Sequence, residues 1–380
     1  MGLGGVSLLP HLSLGETANA ALSLDASGKV VYTPLFKEFV ADESDVKLMA
    51  KLNANENPYG PSPKAMEAIK GSVSAGNRYG WKNLAGLIDQ ISEKEGVSAD
   101  HIMMGPGSSD LLEKTALVLF LKGGEVLSAD PSYMSLMNVA KAVGATWKGV
   151  PLKKDWSHDL KAMEAAITEE TKLVYICNPN NPTGTITAYK DLYDFCSRVS
   201  EKVPVFVDEA YLDFIDGEEG KSMVSLLQKG KNVIVARTFS KIHGMAGLRV
   251  GYAAALPKTL EVIQKITRSG MGIANTSIHA AMASMNDTDF QASSKNLNRE
   301  ARDYTANKLK AMGFEPVPSH TSFMIFPLEN IEGKAFLDKM RAKGVAVRAF
   351  EIFDRQWCRV SMGTMKEMEL FTSALGEVIG

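Results

Sequence analysis

The sequence predicts an α/β chain: a large domain with a mostly parallel sheet sandwiched by helices, then a smaller α+β domain. Three observations predict it. From about residue 60 to 255, apolar stretches of strand length alternate with stretches of helical periodicity. Polar clusters fall just after the strand candidates, where ligands of such sheets bind. After about residue 257 the alternation stops, and helices with short strands follow.

The elements come in this order. Leu84, Leu87, Ile88 and Ile91 recur at helical spacing and mark a helix. Residues 101–104 read as a short strand running into Gly105-Pro106-Gly107. Residues 108–121 follow as a helix, with Leu111, Leu112, Thr115 and Leu119 along one side. A strand at 125–129, a helix at 134–143 and a strand at 146–150 come next. Residues 172–177 form an apolar strand that ends in Asn178-Pro179-Asn180-Asn181-Pro182-Thr183-Gly184. Residues 203–208 and 232–236 read as two more buried strands. Beyond 257 the pattern gives a long helix near 290–312, strands at 322–326, 345–348 and 359–362, and a last helix from about Lys366. The expected domains are 48–270 and 271–380. Residues 1–47 are expected to pack on the small domain or on a partner subunit.

Composition excludes several classes. The formal net charge of the 380 residues is -2, so no global field favours nucleic acid or an anionic membrane. Three cysteines, Cys177, Cys196 and Cys358, are too few and odd in number for a disulfide framework. They fit reduced thiols and a cytoplasmic location. No closely spaced His/Cys cluster suggests a metal, and no stretch has the length of a membrane span. Residues 2–15 are small and apolar, and Ala18-Asn19-Ala20 resembles a cleavage site. Export is therefore the alternative location, although no basic segment precedes this stretch.

The chemistry starts at Arg237-Thr238-Phe239-Ser240-Lys241, followed by Gly244, Gly247, Arg249 and Gly251. A lysine beside a fixed cation and away from water loses part of its preference for the ammonium form, and can then condense with an aldehyde. Thr238, Ser240 and Arg249 suit an anionic group on the same ligand. Alone, Lys241 is equally a solvated lysine on a glycine-rich loop. Ser108 and Ser109 open a helix after a glycine turn and offer N–H groups to an anion, though a plain helix cap explains them too. Asn181 can donate to a ring oxygen. Asp208 ends a buried strand and needs a cationic partner there, such as a protonated ring nitrogen. Tyr211 could reach the same ring's phenolic oxygen. Tyr133 could stack on a flat ligand or simply pack. Arg359 and Arg348 lie among apolar neighbours and suit a carboxylate, or an internal ion pair. Together these groups match one ligand, pyridoxal 5′-phosphate.

The chain resembles the fold-type I pyridoxal-phosphate aminotransferases, and within them the histidinol-phosphate aminotransferase branch. The residues that carry the resemblance are Asn55-Glu56-Asn57-Pro58-Tyr59-Gly60-Pro61, the turn at 178–184, Asp208-Glu209-Ala210-Tyr211, Ser240-Lys241 and Gly247-Leu248-Arg249-Val250-Gly251. They stand in the family's order, and the likeness covers roughly residues 48–380.

The resemblance implies a seven-stranded sheet and a homodimer with active sites at the subunit interface. It implies an amino donor and a 2-oxo acid as substrates. It makes Lys241 the Schiff-base lysine and proton shuttle, with Asp208 on the ring nitrogen and Asn181 and Tyr211 on the ring oxygen. Tyr133 would stack on the ring. Ser108, Ser109, Thr238, Ser240 and Arg249 would hold the phosphate, with Tyr59 reaching it from a second subunit. Arg359, Arg348 and Asn57 would meet the substrate.

There are departures. The glycine loop reads Gly-Pro-Gly-Ser-Ser-Asp, where the family usually has Gly-Asn-Gly-Ser-Asp-Glu. Ile242-His243-Gly244 follows the lysine, where the branch commonly has Ala-Phe-Gly. Relatives on this fold also decarboxylate or eliminate, and a non-catalytic module that binds the cofactor as a sensor is a further alternative. No basic DNA-binding segment accompanies the domain.

Overall fold

The computed structural model describes residues 47–266 and 269–379, and the backbone of a short antiparallel pair, Ser23–Leu24 with Val30–Val31, in an N-terminal unit. The export-like stretch and the packing expected of the N-terminal segment lie outside the described residues. The rest of the chain, 50–380, forms one unit built around a seven-stranded sheet.

Strand β1 is Ala50–Lys51. The large sheet uses β2 (Ile102–Gly105), β3 (Glu125–Asp130), β4 (Thr146–Pro151), β5 (Thr171–Cys177), β6 (Val205–Asp208), β7 (Val233–Thr238) and β8 (Gly251–Ala255). Their spatial order is β2-β8-β7-β6-β5-β3-β4. The ladders from β4 through β7 are parallel, and β8 runs antiparallel to both β7 and β2.

Both faces are covered, so the inner strands read as unbroken apolar runs. Period-two alternation divides them cleanly. Val174 and Ile176 of β5, Val205 and Val207 of β6, and Val233 and Val235 of β7 face one core. That core is closed by helices α1 (Pro63–Ser72), α2 (Trp81–Glu95), α5 (Leu160–Ala165), α6 (Tyr189–Val199) and α8 (Asn275–Met285), through Leu87, Ile91, Met163, Phe195 and Ile278. Leu173 and Tyr175 of β5, Phe206 of β6 and Ile234 of β7 face the other. There α3 (Ser108–Phe120), α4 (Ser135–Ala142) and α7 (Pro257–Gln264) supply Leu111, Phe120, Leu136 and Ile263. Each such fully buried side chain contributes roughly 1.5–3 kcal/mol of hydrophobic stabilisation.

The C-terminal part packs α9 (Thr288–Ala311), α10 (Gly333–Ala342) and α11 (Met365–Ile379) on a three-stranded antiparallel sheet of β9 (Phe323–Pro327), β11 (Arg348–Ile352) and β12 (Arg355–Ser361). Leu309, Phe326, Phe336, Val360 and Phe371 fill its core. The strand read at 345–348 is in fact two. Val345–Ala346 forms β10 and pairs in parallel with β1, while Arg348 begins β11 and pairs with β12. Strand β8 carries no sequence signal of its own, because Tyr252 is followed by alanines of low strand propensity.

A buried ion group braces the loop after β6. Arg237 reaches Asp213 at 2.6 Å and Glu209 at 3.2 Å. Burial alone would raise Asp213, but Arg237 and other nearby cations outweigh it and hold the carboxyl low. Glu209 is pushed up to about 7, with burial outweighing the same arginine. Replacing Arg237 with methionine leaves the buried Glu209 and the half-buried Asp213 without the cation that bridges them. Urea unfolding should show Arg237→Met to be less stable by about 3–5 kcal/mol. A loss below about 1 kcal/mol would mean that this group does not brace the loop.

Candidate active site

The polar groups gather at one edge of the large sheet. The carboxyl ends of β2, β3, β5, β6 and β7 point there, and so does the start of the antiparallel β8. Ser108, the Tyr133 loop, Asn181, Asp208, Thr238, Ser240, Lys241 and Arg249 are thus brought together from distant parts of the chain.

Lys241 lies in the turn after β7. Its Nζ donates to the carbonyl oxygen of Asn55 at 2.8 Å and sits 5.4 Å from the Tyr211 ring centre. Burial lowers its pKa to about 8. Arg359 and Arg249 add to the shift by repulsion, and Asp208 and Glu56 oppose it. The amine therefore releases its proton far more readily than a surface lysine.

Asn55 joins three site groups. Its Nδ2 donates to Tyr211 Oη at 2.8 Å, and its Oδ1 accepts from Ser361 Oγ at 2.7 Å. The Tyr211 hydroxyl accepts from Asn55, so its own proton is available to a ligand. Burial raises the Tyr211 pKa, which keeps that proton in place.

Asp208 is fully enclosed. Its Oδ1 accepts from the Ala210 N–H and its Oδ2 from Tyr175 Oη, both at 3.1 Å. Burial raises its pKa to about 6 despite these bonds. An anion there gains from a cationic ring nitrogen.

Thr238 Oγ1 accepts from the Ser240 N–H at 3.1 Å and donates to Ser240 Oγ at 3.0 Å. Arg249, itself at φ 52°, places Nη1 3.4 Å from Ser240 Oγ and 3.0 Å from the Ala246 carbonyl. Gly107, at φ 88°, caps α3, so Ser108 is its first helical residue. A Cβ on Gly107 would lie 2.2 Å from Arg249 Nη2, and one on Gly251 would lie 2.5 Å from the Ser108 nitrogen. Both glycines are therefore required for the close approach of helix start, guanidinium and hydroxyls. That donor set, with no carboxylate in the cup, fits a phosphate dianion. Ser109 Oγ lies 3.4 Å from Tyr133 Oη, which ties the half-buried Tyr133 to the same cup.

On β12, Cys358 and Val360 face the C-terminal core, so period two turns Arg359 to the opposite side. Arg359 Nη1 donates to Asn181 Oδ1 at 3.0 Å, and its guanidinium lies 5.5 Å from the Phe323 ring centre. This bond occupies the amide oxygen of Asn181 and leaves its NH2 as the group that can donate to a ring oxygen. Arg348 is the register partner of Arg359, and both donate to the Asn53 carbonyl, at 3.0 and 3.5 Å.

Asn57 and Tyr59 lie apart from the cup. Asn57 donates to the Ile242 carbonyl and to Ser294 Oγ and accepts from the Tyr59 N–H. Tyr59 lines a crevice with Phe214, Asn298 and Gly363. Sequence reasoning passed over Asn55, Tyr175 and Ser361 as site groups. Asn55 opens the 55–61 motif, while Tyr175 is hidden in an apolar strand.

Comparison with known proteins places this arrangement. The model of the family described as "Aminotransferase class I and II" matches residues 47–375. Histidinol-phosphate aminotransferase of Moorella thermoacetica is 35% identical over 90% of this chain and 88% of its own length. That of Akkermansia muciniphila is 36% identical over 87% and 90%. The crystal structure of histidinol-phosphate aminotransferase from Sinorhizobium meliloti in complex with pyridoxal 5′-phosphate superposes with a TM-score of 0.81 at 27% identity, covering 92% of this chain and 97% of the other. The chain belongs to the class I and II aminotransferases. It is an aminotransferase that uses pyridoxal 5′-phosphate, and the cup, Asp208 and Lys241 fit that group.

Two outcomes test the geometry. The rate at which apoprotein captures the cofactor should rise with pH about a midpoint near 8, where Lys241 becomes neutral. In Arg359→Met a repelling cation is gone, so the midpoint should move upward, and a fixed midpoint would show that Arg359 does not act on the amine. Separately, Gly107→Ala pushes into Arg249 and should weaken cofactor binding by roughly ten-fold or more, the scale of one charge-assisted hydrogen bond. Equilibrium dialysis of the apoprotein reads this directly.

Proposed function

We propose that this aminotransferase takes the amino group of histidinol phosphate and passes it to a 2-oxo acid, 2-oxoglutarate. One observation carries the substrate reading: Arg348 and Arg359 stand opposite each other on β11 and β12 and share the Asn53 carbonyl. Two guanidiniums side by side repel unless an anion lies between or beside them. A ping-pong aminotransferase admits two substrates in turn to one site. Histidinol phosphate has no carboxylate, but its phosphate carries up to two charges. A 2-oxo acid presents carboxylates. A pair of forked cations, one held by Asn181 and one exposed at the entrance, serves both. The names of the two relatives above support the same donor.

Bound pyridoxal phosphate supplies an aldehyde that captures the donor's amino group and a ring that accepts electrons when a carbon-bound proton leaves. The chain's residues do the rest. Thr238, Ser240, Arg249 and the N–H groups of Ser108 and Ser109 hold the phosphate. Asp208 would keep negative charge against the ring nitrogen. Asn181 and Tyr211 would donate to the ring oxygen, and Tyr133 would stack on the ring. Lys241 Nζ, whose proton burial makes easy to release, would take the proton from the substrate carbon and hold it for its return.

In this reading residues 48–270 bind the cofactor and 271–380 carry the substrate arginines. The enzyme is a cytoplasmic homodimer in which Tyr59 reaches the phosphate of the second subunit. Asn57 fixes the loop that presents Tyr59 and borders the substrate entrance. Three buried free thiols suit a reducing compartment, and no described helix is long and apolar enough to cross a membrane.

A screen of amino donors against 2-oxoglutarate tests the proposal. Histidinol phosphate should give the highest kcat/KM. In Arg348→Ala that value should fall about ten- to a hundred-fold, mainly through KM, since an exposed charged hydrogen bond serves binding more than the chemical step. A preferred donor without phosphate would overturn the substrate. Ammonia or carbon dioxide release in place of the cofactor's amine form would overturn amino transfer on that substrate.

A further inference from the structure

The carboxylate at the end of β6 is held by a tyrosine that lies outside the motifs. Tyr175 is fully buried in β5, the parallel neighbour of β6. In the register, Tyr175 faces Phe206 and Cys177 faces Asp208. Period two puts all four side chains on one face of the sheet. A tyrosine one pair back has the reach to lay its hydroxyl on the carboxylate ahead of it, and Tyr175 Oη meets Asp208 Oδ2 at 3.1 Å. Its ring packs on Phe206 at 5.9 Å. A phenylalanine would fill the same apolar space in β5. The hydroxyl is the one part of the side chain that packing does not explain, and its partner is Asp208, the carboxylate enclosed at the end of β6.

We propose that Tyr175 is a positioning residue that acts through Asp208, fixing the carboxylate's orientation and keeping it the proton-poor member of its pair with the cofactor's ring nitrogen. The inference rests on the reading of Asp208 given above. The effect lies in where one proton sits. Between a carboxylate and a ring nitrogen, the proton stays on the nitrogen only while the carboxylate is the weaker base. A hydroxyl donated to Oδ2 and an N–H donated to Oδ1 both weaken it. Burial works the other way and raises Asp208 to about 6. Tyr175 offsets that tendency with a neutral group. A second cation behind the carboxylate would instead compete with the ring nitrogen for its charge.

The other titratable groups around Asp208 do not take this role. Cys177 gives its thiol to the Pro179 carbonyl, and burial holds its proton on. Tyr211, on the same loop as Asp208, is engaged with Asn55. Tyr133, from the loop after β3, is tied to Ser109. Lys241, after β7, bonds the Asn55 carbonyl and attracts the carboxylate only through space. Burial keeps the Tyr175 proton in place as well, so the donor persists across the working pH range.

The test is Tyr175→Phe in the holoenzyme, read first by absorbance. A ring nitrogen that keeps its positive charge depresses the pH at which the cofactor bound to Lys241 loses its proton. Without the Tyr175 hydroxyl that charge is partly lost. The midpoint of the cofactor's absorbance change with pH should rise by about half a unit to one unit, and kcat should fall roughly ten-fold, with KM of both substrates within about two-fold. Site-specific 3-fluorotyrosine at 175, a stronger donor of nearly the same shape, should move the midpoint down. It also keeps the test open if Tyr175→Phe folds poorly.

An unchanged midpoint in a folded Tyr175→Phe enzyme, or the same direction of shift in both variants, overturns the proposal and leaves Tyr175 a core residue. Asp208→Asn separates this from failure of the underlying reading. If Asp208→Asn shifts the midpoint and Tyr175→Phe does not, the tyrosine inference alone is wrong. If Asp208→Asn leaves the spectrum and its pH dependence intact, the placement of Asp208 on the ring nitrogen is wrong, and the tyrosine inference falls with it.

Discussion

The amine of Lys241 is held among charges of both signs, and the site is organised around that constraint. Asp208 and Glu56 draw it toward the ammonium form; burial, Arg359 and Arg249 push it toward the free base. No single neighbour sets the balance. Each belongs to a different element: Asp208 to the end of β6, Arg359 to β12, Arg249 to the entry of β8, Glu56 to the loop after β1. Moving any one by a few ångströms changes an interaction that falls off slowly with distance in a partly buried setting. Reactivity of the lysine therefore depends on the whole sheet edge being held rigid, and on the C-terminal sheet being held against it.

Asn55 provides much of that rigidity. Its carbonyl takes the Lys241 amine, its amide nitrogen takes Tyr211, and its amide oxygen takes Ser361. One residue before β2 thus ties Lys241, Tyr211 and the strand that carries Arg359. Such a network is costly to disturb, because loss of Asn55 removes a partner from each of the three groups at once. Glu209, Arg237 and Asp213 brace the back of the same loop with charges, while its front is held by neutral donors to Asp208. The charged brace contains its own cation, Arg237, which pairs with Glu209 and Asp213 and leaves Asp208 to its neutral donors.

Much of this was legible in the sequence, for definite physical reasons. Parallel strands buried on both faces must be continuously apolar, so β5, β6 and β7 stand out, and their polar ends mark the site. The lysine loop, the 178–184 turn and Asp208 were visible because polar groups at buried strand ends need a partner. Strand β8 was not visible, because its alanines carry little strand propensity. The strand at 345–348 read as one because its apolar run continues across a switch from β1 to β12 as partner. Tyr175 was hidden for a related reason: an aromatic in an apolar strand looks like core until its hydroxyl has a partner. Asn57 could be singled out from its motif, while its bonds to Ile242, Ser294 and Tyr59 could not be read from the sequence.

The antiparallel strand that the sequence conceals is also what closes the phosphate cup. A parallel β8 would bring its amino end to the far edge of the sheet and carry Arg249 with it. Because β8 runs backwards, its first residue, Gly251, lies against both Thr238 and Gly105, at the carboxyl ends of β7 and β2. The segment just before it then passes the start of α3, and Arg249 arrives beside Gly107 in a left-handed turn. The cup's three sources, residues 107–109, 238–240 and 249, are about 140 positions apart at their extremes. They meet because one strand reverses direction and two glycines leave room. The meeting of helix start and guanidinium is then a consequence of topology.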